Sequence, residues 1–459
     1  MATKLRDTLA ALLFLGILAA GLLYLGLGVQ AAKQLDGTGF LPVQRTWSYT
    51  RFHRKKAPQQ SGRGVPLTFE ELSAGAKAAT AGVEERLTDS LDRDHLFIEA
   101  YGLLQGLQGR RVMEDMDPQY TVVHLSDGSL SFADPAAPYL DPTNRAREVV
   151  AFRDALEQEL GLPLLYVQAP QKVYYDGDGQ LPDGLSDYGD AYANVMAHTL
   201  QNAQVPYLDL RPVLAETGRY GEFFFSTDHH WTPEGALLGW EAVAGTLCED
   251  FGLTIDPRSY DRKHYMQTTY EDVFLGSQGK RVGTLYAGTD DLTVWYPDRF
   301  TWLNYEVYSQ NIDRTATFQQ SLLFPERLRE TDLYQSNPYT YYSGGDYPFA
   351  RMRNLLNPEG PKVVLLRDSF GCTFAPFMAL GCGEVITIDL RYFHDDLMEY
   401  IQWVQADMVV MLYSPGSLKL PAMFDFFHDP DQTWLPNRKP PIHLDGSFKP
   451  VPGQAASVG

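Results

Sequence analysis

Three short apolar runs in the last third of the chain, separated by segments of helical length, constrain its fold more than any other feature. Residues 362–366, 385–388 and 408–412 are almost wholly apolar, and residues 373–380 (closed by Gly381) and 395–403 lie between them with helical patterning. A half-exposed antiparallel strand alternates in polarity, whereas a strand covered on both faces reads as a continuous apolar run. The order therefore predicts a parallel sheet with helices on both faces. The same alternation stands upstream. A helix over residues 144–160 ends at Gly161, a strand covers 164–169, a helix surrounds 190–202, and a strand covers 205–208. A further helix takes Thr232 as N-cap and Pro233 as its first residue, then runs through Leu237, Trp240, Val243 and Leu247 to a stop near Gly252.

The N-terminus predicts the compartment. Residues 9–29 are uncharged and apolar, long enough as a helix to cross ~30 Å of hydrocarbon. Lys4 and Arg6 precede the run, which favours an N-terminus held inside; Asp7 counts for little in that rule. Val29-Gln30-Ala31 loosely suits a signal-peptide cleavage site, but the apolar run is longer than a usual signal core, so an uncleaved transmembrane anchor is preferred. On either reading the body of the protein is exported. Residues 32–66 read as a linker. Its Arg51, Arg54, Lys55 and Lys56 suit either a solvated spacer or contact with anionic polymers or lipids at the surface.

Helices are expected over 68–91 and 94–107, then a hairpin around Asp127-Gly128. Residues 256–345, rich in Tyr, Thr, Phe and Trp, read as short β segments inserted in the α/β domain. From Ser414 the chain is Pro-rich and expected to be irregular. The expected organisation is an anchor at 1–31, a linker at 32–66, a catalytic domain at 67–414 with its β-rich insertion at 256–345, and a tail at 415–459.

With 38 basic and 58 acidic residues the net charge is −20. Such a body repels phosphate backbones, which excludes nucleic acid as a natural partner. Cys248, Cys372 and Cys382 make neither a disulfide framework nor a zinc spacing. Cys372 and Cys382 are left to pair if the fold brings them together, or to be buried thiols.

Two segments could carry chemistry. Residues 224–235, Phe-Phe-Ser-Thr-Asp-His-His-Trp-Thr-Pro-Glu-Gly, place Asp228, His229, His230 and Trp231 just ahead of a helix, on a loop leaving the sheet. Open α/β folds put ligand chemistry on such loops. A histidine is the commonest general base, and a carboxylate usually orients it. Spaced two apart on an extended loop, Asp228 and His230 would project to one side and His229 to the other. Residues 363–371, Val-Val-Leu-Leu-Arg-Asp-Ser-Phe-Gly, run a buried strand into Ser369 at the sheet's C-terminal edge. Backbone N–H groups there could serve as an oxyanion hole. A serine hydroxyl attacks only when a base removes its proton. Taken alone, the Asp228 segment is as readily a local helix cap, and the Ser369 segment alone is better read as a serine N-cap at an ordinary strand–helix turn.

As a set, these residues resemble the DHHW group of SGNH-like acyltransferases, related to the alginate O-acetyltransferases. The resemblance covers most of 94–414. It is anchored at Thr-Asp-His-His-Trp-Thr-Pro (227–233) and Arg-Asp-Ser-Phe-Gly (367–371), with softer likeness at 168–172 and 388–393. It implies an SGNH-like three-layer fold, with a parallel sheet flanked by helices. It further implies Ser369 as nucleophile, with His230 and Asp228 completing the triad. The implied activity is acetyl transfer to an exported polysaccharide or cell-envelope glycan, with no cofactor. A membrane-bound O-acyltransferase partner would supply the acyl groups.

His229 and Trp231 are read as substrate-contacting. Lys172 and Arg391, just past two strands, are candidates to bind an anionic or carbonyl-bearing substrate, or else are ion-pair partners. Two departures stand out: Arg367 occupies the place of the glycine in a Gly-Asp-Ser block, and no Asn is evident for an oxyanion hole. The alternatives are an esterase of the same mechanism, a non-catalytic glycan-binding or scaffold protein, and a metal site at Asp228, His229 and His230. The last has too few ligands in recognisable spacing.

Overall fold

The structure is a computed structural model that describes residues 94–132, 142–174, 180–182, 185 and 188–427. The expected anchor, linker and first helix (68–91) lie outside the described residues. Among those described, no helix is long and apolar enough to cross a membrane. The chain divides into a unit up to Arg110 and a unit from Arg111 onward. In the first, helix α1 spans Asp94–Leu107.

The second unit is built on an eight-stranded sheet. Five strands run parallel: β5 (Tyr207–Asp209), β4 (Leu164–Gln168), β13 (Met408–Tyr413), β11 (Lys362–Arg367) and β12 (Glu384–Ile388), neighbours in that order. The sheet is nonetheless mixed, not parallel throughout. Beyond β12 come β10 (Phe349–Asn354), β8 (Leu303–Val307) and β9 (Ile312–Ala316), each antiparallel to its neighbour. The aromatic-rich stretch thus supplies two strands to the main sheet, while β6 (Tyr265–Phe274) and β7 (Asp290–Pro297) form a separate antiparallel ribbon. Strand β10 is the element that pattern reading does not find. Its Phe-Ala-Arg-Met-Arg-Asn sequence places Arg351 and Arg353 in ion pairs with Glu384 and Glu306 of the adjoining strands. Cross-strand charge pairs replace apolar burial on that face.

The alternation of each central strand feeds two separate cores. Val363, Leu365, Val410 and Leu412 face α4 (Pro233–Glu249) and α5 (Gly371–Gly381), meeting Trp240, Val243, Phe374 and Phe377. Val364, Leu366, Val409 and Met411 face α2 (Pro142–Ala155), α3 (Tyr188–Asn202) and α6 (Leu397–Val404), meeting Phe152, Met196, Leu200 and Ile401. Every one of these side chains is withdrawn from water, the condition under which strands read as unbroken apolar runs. Three layers result.

The helix ends follow local chemistry. Thr232 is the extended N-cap of α4, and its hydroxyl accepts from Gly235 N–H with Pro233 at the first helical position. α2 passes into a π turn, Leu156–Leu160, that Gly161 closes at φ +66°. A small three-stranded sheet, β1 (Val112–Met113), β2 (Val122–His124) and β3 (Leu130–Phe132), turns at Asp127-Gly128. After β13 the chain packs back rather than leaving at Ser414, burying Leu418, Met423, Phe424 and Phe426 against the second core. Cys248, Cys372 and Cys382 are free thiols.

Candidate active site

All five parallel strands point the same way, so their C-terminal ends share one edge, and Ser369 follows β11 there. The turn around it is tightly bonded. Asp368 accepts Phe370 N–H at 2.9 Å through one carboxylate oxygen. Its other oxygen accepts Ser414 N–H and the Ser417 hydroxyl, each at 2.7 Å. Gly371 and Cys372 donate their N–H groups to the carbonyls of Asp368 and Ser369. Among the described residues no acceptor takes the Ser369 N–H, which leaves it as a free donor of the nucleophile turn.

The loop 223–232 reaches the same place from between β5 and α4. It closes like a hairpin, with Phe225 N–H donating to His230 O and Thr232 N–H to Phe223 O. His230 Nε2 lies 2.7 Å from Ser369 Oγ, and His230 Nδ1 lies 2.5 Å from Asp228 Oδ1. Asp228 also accepts His230 N–H at 3.0 Å and Ser277 N–H at 2.6 Å. Asp228 and His230 are buried, and Ser369 is partly exposed. Burial acts to raise the Asp228 carboxyl, but His230, His229 and the Ser277 N–H outweigh it and hold the group well below the usual carboxylate range. An ionised Asp228 keeps the proton on Nδ1 and leaves Nε2 as the acceptor facing the serine.

His229 does not point away. The loop bends instead of extending, so the His229 ring lies 3.8 Å from that of His230 and its Nδ1 is 2.9 Å from Ser277 Oγ. Its crowded setting, then the neighbouring His230, push it below the ordinary imidazole value. Asp228, His229 and His230 offer ligand atoms within 4.8 Å of one another. Both ring nitrogens of His230 are already committed, to Asp228 and to Ser369.

The other expected contact residues have different surroundings. Trp231 is fully buried, stacks on Phe374 and donates its indole N–H to Phe370 O at 3.1 Å. It joins the two loops from beneath rather than lining the cleft. Lys172 is buried, pushed down to about 8 by burial, and donates to Leu130 O at 2.5 Å and Ser226 O at 3.2 Å. Arg391 pairs with Asp389 at 2.6 Å and with Asp346 at 3.1 Å. Arg367 lies under the turn, bonded to Asp346, Gly345 O and Asp368 O. None of its bonds goes to Ser369, and its side chain crosses Gly371 so closely that a Cβ there would come within 2.6 Å of it.

Several supporting residues are invisible to motif reading. Asp290, opening β7, accepts Ser226 N–H, Thr227 N–H and the Thr227 hydroxyl, all at 2.6–2.7 Å. Gly276 is pressed against the Asp228 backbone: a Cβ would fall 2.2 Å from Asp228 Cβ. Tyr339 stacks on His230 and donates to Ser369 O. The one available signal was the Gly-Ser-Gln-Gly run at 276–279, whose glycines flag close backbone approach.

Residues 132–283 match the family model described as the SGNH hydrolase-like domain of acetyltransferase AlgX. The matched stretch holds Asp228 and His230, and the structure adds Ser369 from outside it. A DHHW family protein from Eubacterium siraeum superposes with a TM-score of 0.53 at 19% identity, covering 69% of this chain and 98% of that one. Bacillus cereus PatB1 bearing a sulfonyl adduct superposes with a TM-score of 0.54 at 20% identity, covering 67% and 99%. At these identities the likeness speaks for the fold. No curated protein matches by sequence. The fold thus resembles that of a DHHW family protein, and residues 132–283 resemble the domain of acetyltransferase AlgX, as the motifs implied.

Proposed function

We propose that the protein is an extracytoplasmic O-acyltransferase that moves an acetyl group onto a hydroxyl of an exported polysaccharide through an ester on Ser369. The observation carrying this reading is the unbroken relay from Asp228 through His230 to Ser369 Oγ. In the first half-reaction His230 Nε2 takes the serine proton while Oγ attacks the acetyl carbonyl. The Ser369 N–H faces the oxyanion. Collapse expels the donor's leaving group, which receives the proton from His230, and leaves acetyl-Ser369. In the second, His230 removes the proton of a sugar hydroxyl, whose oxygen attacks the acyl carbon; the Oγ–acyl bond breaks and Ser369 Oγ takes that proton back from His230.

The family model's acetyltransferase description supports the transfer reading. An esterase would differ only in taking water at the second step. Arg367 is bonded beneath the turn to Asp346 and Asp368 O rather than to Ser369, which supports the catalytic reading over a non-catalytic scaffold. Residues 9–29 would hold the domain outside the cytoplasm, beside a membrane-bound partner that delivers acyl groups.

The test supplies the purified protein with p-nitrophenyl acetate and oligosaccharides of the host's exported glycan. The reading expects acetylated oligosaccharide from the wild type and none from Ser369→Ala. Nitrophenol release without any acetylated product establishes the esterase instead, and equal behaviour of the two proteins overturns both.

A further inference from the structure

Tyr339 lies in the segment between β9 and β10, far in sequence from both halves of the site, yet it touches each of them. Its ring is stacked on the His230 imidazole, with centroids 3.8 Å apart and planes 15° from parallel. Its hydroxyl donates to the Ser369 main-chain carbonyl at 2.9 Å. The side chain is almost entirely buried, so both contacts are shielded from competing water. The segment carrying it is pinned in turn. Ser343 donates its hydroxyl to Cys372 O, Arg367 bonds Gly345 O, and Arg327 bonds Gly344 O. Ser343, Gly344 and Gly345 take φ of +59°, +79° and +153°, the sharp turn that brings this strap back under the nucleophile.

We propose that Tyr339 is a positioning residue that fixes His230 and Ser369 relative to each other, and that its ring face stabilises the imidazolium formed when Ser369 loses its proton. This rests on the acyl-serine reading above. An aromatic face attracts a cation set over it, and more strongly where water is excluded. The neutral imidazole gains little from the same face. The stack therefore favours the charged base that exists at the transition state, the differential binding that catalysis requires. The hydroxyl does separate work, holding the nucleophile's backbone at the distance the ring sets.

Asp228 and His229 stand directly beside His230 on its own loop; Lys172 beyond β4 and Lys280 beyond Gly279 act on Asp228, and Lys172 and Asp368 of the nucleophile turn act on His229. Variants at Tyr339 leave all of them in place. Leucine keeps the site dry and removes the π face; phenylalanine keeps the face and removes the hydroxyl.

The pH dependence of kcat/KM on p-nitrophenyl acetate, with the His230 resonances followed by NMR, separates these roles. In Tyr339→Leu the charged form of His230 loses support, so its midpoint moves to lower pH by about half to one and a half units. kcat falls with it, by roughly ten- to a hundredfold. Tyr339→Phe is expected to keep the wild-type midpoint and lose part of kcat. An unmoved midpoint in the leucine variant, or an equal shift in both variants, overturns the proposal. The NMR titration needs no turnover, so an inactive wild type would count against the acyl-serine reading and leave this inference still measurable.

Discussion

Asp228 is where the site's electrostatics concentrate, because one buried carboxylate serves the base, the base's own N–H and the Ser277 N–H at once. Asparagine there keeps the shape but no longer fixes the His230 tautomer. Asp228→Asn is expected to lower kcat by about 10⁴-fold with KM nearly unchanged, measured on an activated ester. The same carboxylate couples stability to pH. Its folded value lies below the unfolded one, so its contribution is complete above the ordinary carboxylate value. That contribution is lost as pH falls through the depressed folded value, because only the unfolded chain binds the proton in between. Urea midpoints taken from pH 7 down to pH ~3 should therefore fall more steeply for the wild type than for Asp228→Asn. Parallel slopes would contradict that assignment.

At the scale of elements, the helices and central strands were legible where physics acts locally. β4, β11, β12 and β13 read as apolar runs because both their faces are covered, and α4 declared itself through Thr232 and Pro233. β10 escaped because its Arg351 and Arg353 are matched only by residues distant in the chain. The site divides in the same way. Asp228, His230 and Ser369 stand in compact motifs, whereas Asp290, Gly276 and Tyr339 support them from segments whose polarity and turns read as ordinary loop. His229 was misread because a short extended loop was assumed where the chain bends. The ribbon β6–β7 is thus part of the machinery. Gly276, following β6, gives way to no side chain without moving Asp228. Gly276→Ala is expected to cut kcat at least a hundredfold, the cost of about an ångström of misplacement. Circular dichroism should show the helices of the three-layer domain retained.

For the whole molecule, chain order and spatial order are independent. The base loop precedes the nucleophile by 139 positions, yet both meet at one sheet edge because every parallel strand delivers its C-terminal end there. Triads are defined by that geometry and not by sequence order. If residues 9–29 anchor this edge outside the cytoplasm, a chain beginning after residue 31 should leave the membrane fraction with its ester chemistry intact. All of this turns on whether Ser369 becomes acylated. Intact-mass and peptide mass spectrometry after brief exposure to p-nitrophenyl acetate reads that event directly. The account predicts a single acetyl group on the peptide containing Ser369, absent from Ser369→Ala and strongly slowed in His230→Ala. Full turnover by the wild type with no adduct trapped at any time, or an acetyl group of equal yield in Ser369→Ala, would contradict it.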